Sequence, residues 1–156
     1  MFIDTTFIMD ENGRNPAMAE QRAAVKLFNI VRVDAQKAML VTFLTRRSNR
    51  LLALDKAAAS RSDANHHYLG TFTVPLSQIR GSETRTRDFD RSFHPLNNRT
   101  MHRWTSVARA RQNGTPLPAV ELIKVGEDYF VRDGHHRISV AHAFGEQFIE
   151  AEVIEW

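Results

Sequence analysis

Apolar positions in the first third of the chain recur at helical spacing. Asn15-Pro16 combines an N-cap residue with a proline at the first helical position, which predicts a helix from there to about Ile30. Asp34 is expected to cap a second helix, and residues 51–59 to form a short third segment of helix. The pattern therefore predicts a helical N-terminal arm over residues 1–67.

A different pattern begins after a polar linker over residues 60–67. Short runs rich in β-branched and aromatic residues predict strands, at residues 71–74, 120–125, 129–132 and 148–154. The second and third of these strands are separated by a three-residue turn and should form a β-hairpin.

Two helices are expected among these strands. Trp104 lies on the apolar side of a helix over Met101–Gln112, and a second helix should run from His135 to Phe144. Residues 81–100 show no periodicity and are expected to form a long loop. We therefore predict an α+β fold for residues 68–156, with a small mixed sheet and packed helices.

Composition adds three constraints to this picture. The chain has 156 residues, 42% hydrophobic, and no cysteine, which excludes disulfides, thiolate nucleophiles and cysteine-based zinc sites. No His-x-x-x-His spacing occurs, so no zinc is expected. Neither a targeting segment nor an apolar run of membrane-spanning length is visible, so we expect a cytoplasmic protein without a membrane partner.

The net charge of +3 conceals an uneven distribution. Residues 14–61 carry ten basic and three acidic side chains, and residues 80–111 carry eight arginines and three acidic side chains. Arginine offers a planar fork of donors that suits phosphate and carboxylate groups. Biased composition explains the arginines equally well at this point.

The clearest candidate site is the turn after the predicted hairpin. Asp133-Gly134 leads into a helix whose first turn has unpaired N–H groups and a partial positive charge, which together favour anions. Arg137 would add a bidentate fork, while His135 and His136 would donate hydrogen bonds. The alternative is that Asp133 simply caps the helix.

The segment from about residue 69 to residue 156 resembles the ParB/sulfiredoxin superfamily. The resemblance rests on Val74 to Ile79, the Trp104 helix, Leu117 to Leu122, Tyr129 to Arg137 and the final strand. Bacterial ParB-like proteins of uncharacterised function that carry an Asp-Gly-His-His-Arg motif are the most similar. They also share the segment Gly81 to Asp90.

Sulfiredoxins place nucleotide phosphates at a Gly-Cys-His-Arg turn, and ParB proteins bind CTP at a Gly-Glu-Arg-Arg turn. Gly134, His136 and Arg137 match the sulfiredoxin motif, but His135 replaces its catalytic cysteine. The resemblance therefore implies nucleotide binding without sulfinic-acid reduction. Serine kinases of the same fold make phosphoryl transfer an expected alternative activity.

A second candidate is the arginine-rich loop over residues 85–94. Its arginines, Arg85, Arg87 and Arg91, would meet phosphates, and Asp88 or Asp90 would hold Mg²⁺ through bound phosphate or water. Phe89 and Phe93 would anchor the loop on the core. The alternative is a surface lattice of ion pairs, each of which contributes only about 0–1 kcal/mol.

These features lead to three functional hypotheses. The first is a nucleotide-binding domain that takes a nucleoside triphosphate with Mg²⁺, with hydrolase or phosphotransferase activity as an extension. Its phosphates would contact residues 134–137, and its general base would be Asp133, His135 or His136. The second is a DNA-binding or nuclease module, favoured by the basic segments. The third is a non-enzymatic interaction domain whose N-terminal helices would form a homodimer or dock on another protein.

Overall fold

A computed structural model describes residues 15–45, 48–59 and 66–156. It contains four α-helices: α1 (Pro16–Thr45), α2 (Leu54–Ala58), α3 (Met101–Gln112) and α4 (His135–Ala143). It also contains six strands: β1 (Leu52–Ala53), β2 (His67–Pro75), β3 (Ile79–Ser82), β4 (Val120–Val125), β5 (Asp128–Asp133) and β6 (Phe148–Glu155). The α+β class that the sequence predicts is confirmed.

The six strands form one mixed sheet in the order β1-β3-β5-β4-β6-β2. β3 is parallel to both β1 and β5, and β4 is parallel to β6. The β4–β5 hairpin and the β2–β6 pair are antiparallel. This order brings the end of β3 beside the end of β5, so the segments that follow these two strands emerge at the same edge of the sheet.

The main core lies between this sheet and α4. Ile138 and Ala141 of α4 pack against buried residues of the strands, among them Val120, Leu122 and Val131. α4 is short, and its apolar face is held by the sheet rather than by helix propensity alone. The first turn of α4 is thereby fixed against the sheet edge.

α3 packs between α1 and α4. The rings of Phe28 on α1 and Trp104 on α3 meet edge to face, with centroids 5.6 Å apart, and both side chains are fully buried. Trp104 Nε1 donates a hydrogen bond of 2.8 Å to Ser139 Oγ on α4. The three helices therefore form a continuous packed layer.

The expectations for the N-terminal part need two corrections. The predicted end of the first helix near Ile30 and the predicted second helix capped by Asp34 are both wrong, because α1 continues unbroken to Thr45. The third helical segment is shorter than expected, since β1 precedes α2 within residues 51–59.

The division of the chain at residue 67 stays a prediction. β1 lies before this boundary and pairs with β3 in the sheet. Most of the linker assigned to residues 60–67 lies outside the described residues. No helix in the described part of the chain has the length and apolarity that a bilayer crossing requires.

The strands and helices of residues 68–156 agree better with the predictions made from the sequence. α3 and the β4–β5 hairpin lie where they were predicted, and β2 extends beyond the expected residues 71–74 in both directions. The prediction of a continuous loop over residues 81–100 is wrong, because Gly81 and Ser82 belong to β3. A 3₁₀ turn over Asn98–Thr100 also leads directly into α3.

Candidate functional site

The turn between β5 and α4 depends on Gly134. Its φ of +98° lies in the left-handed region, which side-chain-bearing residues rarely adopt. A Cβ at this position would lie 2.5 Å from Cγ1 of Val120 on β4. Only glycine therefore combines this backbone conformation with this close approach to the sheet.

Asp133 is not the N-cap of α4. The N-cap is Gly134, which has no side chain to accept hydrogen bonds from the first turn. The Asp133 carboxylate instead accepts a hydrogen bond of 2.7 Å from Arg137 Nη2. The alternative in which Asp133 caps the helix is therefore wrong, and the first-turn amides of α4 have no side-chain cap.

The guanidinium group of Arg137 makes more hydrogen bonds within the protein than the sequence indicates. Its Nη1 donates to the carbonyl oxygens of Pro118 and Ala119, at 2.5 and 2.8 Å. Together with the bond to Asp133, these contacts use three of the five guanidinium hydrogens. Arg137 thus ties the turn to the segment before β4, which leaves Nε–H and one Nη2 hydrogen for a ligand.

A cleft of about 580 Å³ opens between the first turn of α4, the segment after β3 and the beginning of α3. Asp133 carries the one carboxylate among the described residues that line it. The cleft is lined by four arginines: Arg85, Arg103, Arg132 and Arg137. The lining residues therefore carry a net positive charge in front of the uncapped first turn of α4, although Arg132 and Arg85 also lie 3.3 and 3.8 Å from carboxylate oxygens of Glu83 and Asp88.

The three arginines predicted in the loop separate in the structure. Arg85 lines the cleft, and its Nη1 lies 3.2 Å from Nε2 of His136. Arg87 lines a second cavity of about 550 Å³ near the end of α1. Arg91 is exposed and lines neither cavity. The structure therefore brings only Arg85 together with Gly134, His136 and Arg137.

Both histidines of the motif are neutral at pH 7. Burial, and after it the charge of Arg85, lowers the pKa of His135 to about 4. The same two causes, followed by the charge of Arg103, lower the pKa of His136 to about 4. Burial is the larger cause of both lowered pKa values, and the neighbouring arginines add to it.

The protons on His136 follow from its contacts. Because Arg85 can only donate, Nε2 of His136 accepts and the ring proton is on Nδ1. That Nδ1 atom is buried and has no hydrogen-bond partner among the described residues. His136 therefore holds an unsatisfied donor beside the cleft.

The rings of α4 also hold the arginine-rich loop. Phe89 lies against the rings of His135 and His136, with centroids 6.0 and 5.5 Å apart, and Phe93 stacks on His142. Both phenylalanines are buried, so the prediction that they anchor the loop is confirmed.

Asp88 and Asp90 serve the loop itself in this structure. Asp88 Oδ1 accepts from Asn97, and its Oδ2 lies 3.8 Å from Nε of Arg85. Asp90 is 1% exposed, and its two oxygens accept four hydrogen bonds, two of them from His94. Their role in holding Mg²⁺ stays a prediction, and neither lines the cleft.

Within the described ranges, no three histidine or acidic side chains are grouped so that they could bind a metal ion.

Sequence reasoning missed three residues of this region. Arg103 lies next to the buried Trp104 on α3, but this position does not single it out, because Thr105, the other neighbour of Trp104, is buried as well. Arg132 lay inside the recognised motif but received no role; its Nε is 3.3 Å from Oε2 of Glu83. Ser82, the last residue of β3, was hidden in the expected loop.

No family model matches the sequence, and no curated protein matches it. Among solved structures, sulfiredoxin from Arabidopsis thaliana is similar, with 19% sequence identity and a TM-score of 0.42. The match covers 55% of this chain and 85% of that chain.

Proposed function

We propose that the cleft binds the phosphate groups of a nucleotide. The observation that carries this proposal is the set of four arginines around the uncapped first turn of α4, with Asp133 as the single carboxylate among the described lining residues. Backbone N–H groups at a helix N-terminus and arginine forks are the donors that phosphate oxygens accept from.

The size and remaining walls of the cleft support a ligand larger than free phosphate. Cavities that bind small molecules and cofactors usually measure several hundred Å³, as this one does. Val107, Leu117 and Pro118 provide an apolar wall beside the arginines. A base or ribose placed there would leave the phosphates at the basic end.

Arg103 is the most informative residue for a test. It is exposed, lines the cleft, and makes no hydrogen bond or ion pair within residues 15–45, 48–59 and 66–156. Its truncation should therefore remove a phosphate donor without disturbing the fold. Arg137 is less suitable, because its removal would also break the three hydrogen bonds that hold the turn.

The experiment is equilibrium titration calorimetry with ATP, CTP and GTP, each with and without Mg²⁺. We expect saturable binding of at least one nucleotide, weakened about 10- to 100-fold by Arg103→Ala, since a charge-assisted hydrogen bond contributes about 1.5–3 kcal/mol. Arg99→Ala is the matched control, because Arg99 is exposed and lies outside the cleft.

Two results would contradict the proposal. One is the absence of saturable binding for all three nucleotides. The other is an equal loss of affinity in Arg103→Ala and Arg99→Ala, which would show that general charge attracts the ligand. Release of inorganic phosphate in the same samples measures whether binding leads to hydrolysis.

A further inference from the structure

A buried serine connects the arginine-rich loop to α4. Ser82 is the last residue of β3, and it is fully buried. Its Oγ accepts hydrogen bonds from the backbone N–H groups of Thr84, at 3.2 Å, and Arg85, at 2.9 Å. The same Oγ lies 2.7 Å from Nε2 of His135.

The number of lone pairs on a hydroxyl settles which atom donates in the Ser82–His135 contact. A serine oxygen has two lone pairs and one hydrogen. The amides of Thr84 and Arg85 occupy both lone pairs, so the hydroxyl hydrogen must be donated to His135. Nε2 of His135 is therefore unprotonated, and the neutral ring carries its proton on Nδ1.

Arg85 is thus held at both of its ends by consecutive histidines of α4. Its backbone N–H is fixed by Ser82, whose hydroxyl is oriented by His135. Its guanidinium lies on Nε2 of His136. Arg85 is one of the four arginines that line the cleft. The protonation and orientation of the two histidine rings therefore determine the position of its charge in the cleft.

We propose that Ser82 and His135 are positioning residues that set Arg85 in the cleft through the Nδ1–H form of His135. The effect on ligand affinity rests on the proposed function of the cleft. The hydrogen-bond arrangement itself does not, so the two are tested separately. A hydroxyl that only filled space would require neither this tautomer nor ordered amides at Thr84 and Arg85.

The first measurement is NMR of the full chain with ¹⁵N-labelled histidine at neutral pH, with the His135 signals assigned by their loss in His135→Gln. We expect His135 as the Nδ1–H tautomer, with an unprotonated Nε2. A ring protonated on Nε2 would overturn the proposal, because Ser82 Oγ would then have to accept three hydrogen bonds.

The second measurement is amide hydrogen exchange at Arg85. Ser82→Ala removes the acceptor of the Arg85 amide. Exchange of that amide should become about tenfold faster than the change in global stability alone would make it. Ser82→Thr keeps the hydroxyl and should retain slow exchange, and Ser77→Ala, at an exposed serine, is the control. Unchanged exchange in Ser82→Ala would overturn the proposal, whether or not Ser82→Thr folds.

The third measurement is the affinity for pyrophosphate, the probe for the cleft. We expect Ser82→Ala to weaken binding about tenfold, with Ser77→Ala unchanged. An unchanged affinity in Ser82→Ala would refute the positioning role. If the wild-type chain binds neither pyrophosphate nor nucleotide, the proposed function fails, while the tautomer and the exchange rates still decide on the contact between Ser82 and His135.

Discussion

Replacement of Gly134 by alanine tests the local geometry of the site directly. Two separate costs are expected. The left-handed φ of +98° costs a residue with a Cβ about 1–2 kcal/mol. In addition, the new Cβ would lie 2.5 and 2.8 Å from two side-chain carbons of Val120, and overpacking of this kind typically costs about 1–3 kcal/mol.

The expected destabilisation of Gly134→Ala is therefore about 2–5 kcal/mol, a large fraction of the stability of a typical domain. Gly145→Ala provides the matched control. Gly145 has a φ of +72°, and a Cβ there would meet nothing within 4 Å among the atoms of this structure. The control therefore has the backbone cost without the steric cost.

Urea unfolding followed by tryptophan fluorescence measures both variants, since Trp104 is fully buried and should report the loss of the core. We expect Gly134→Ala to lose about 1–3 kcal/mol more than Gly145→Ala, which is the steric part alone. Equal losses in the two variants would refute the reasoning, because Val120 would then have to move away without cost.

Two further predictions concern stability. Between pH 6.5 and about 4, His135 becomes protonated in the unfolded chain but stays neutral in the folded protein. Acidification across this window should therefore lower the free energy of unfolding, and His135 should account for on the order of 3 kcal/mol of that loss. His94 acts in the opposite sense: the hydrogen bond to Asp90 raises its pKa, so its contribution is present below pH 6.5 and disappears as the pH rises through the raised value. Urea unfolding at several pH values checks the balance, and stability that increases throughout the acidification would contradict it. Phe28→Ala should cost about 3–5 kcal/mol in the same assay, because Phe28 is fully buried against Trp104, whereas Phe43→Ala, 81% exposed on the same helix, should cost little. Similar losses in both variants would show that α1 is not docked through Phe28.

Local patterns predicted the elements that are defined by their own residues. The bounds of α3 follow from the spacing around Trp104 and from Gly114 just beyond its end. The β4–β5 hairpin and the start of α4 follow from short turns with strong sequence preferences.

The error at Asp34 shows where local reasoning failed. An aspartate favours an N-cap, but this preference is weak compared with the burial of an apolar face. No glycine or proline interrupts α1 after Pro16, and its buried residues continue across Asp34, as Ala24, Phe28, Val31 and Ala35. Burial of this apolar face thus extends the helix through a residue that could have ended it.

The candidate site depends on contacts between distant parts of the chain. Arg85 and Arg103 meet at one cleft only because β3 lies beside β5 and α3 packs on α4. β3 has only four residues, one of them glycine, so its own sequence carries a weak strand signal. Ser82 was therefore invisible as a partner of His135 until the sheet order was known.

The position of β6 in the sheet has a consequence for how the chain is synthesised. β6 is the last of the described strands to leave the ribosome, yet it lies between β4 and β2. Until it arrives, β2 has no partner strand, and the edge of β4 is left open. During this interval the other described strands have already been synthesised, and β2, with its exposed Tyr68 and Phe72, is open to pairing with strands of other chains.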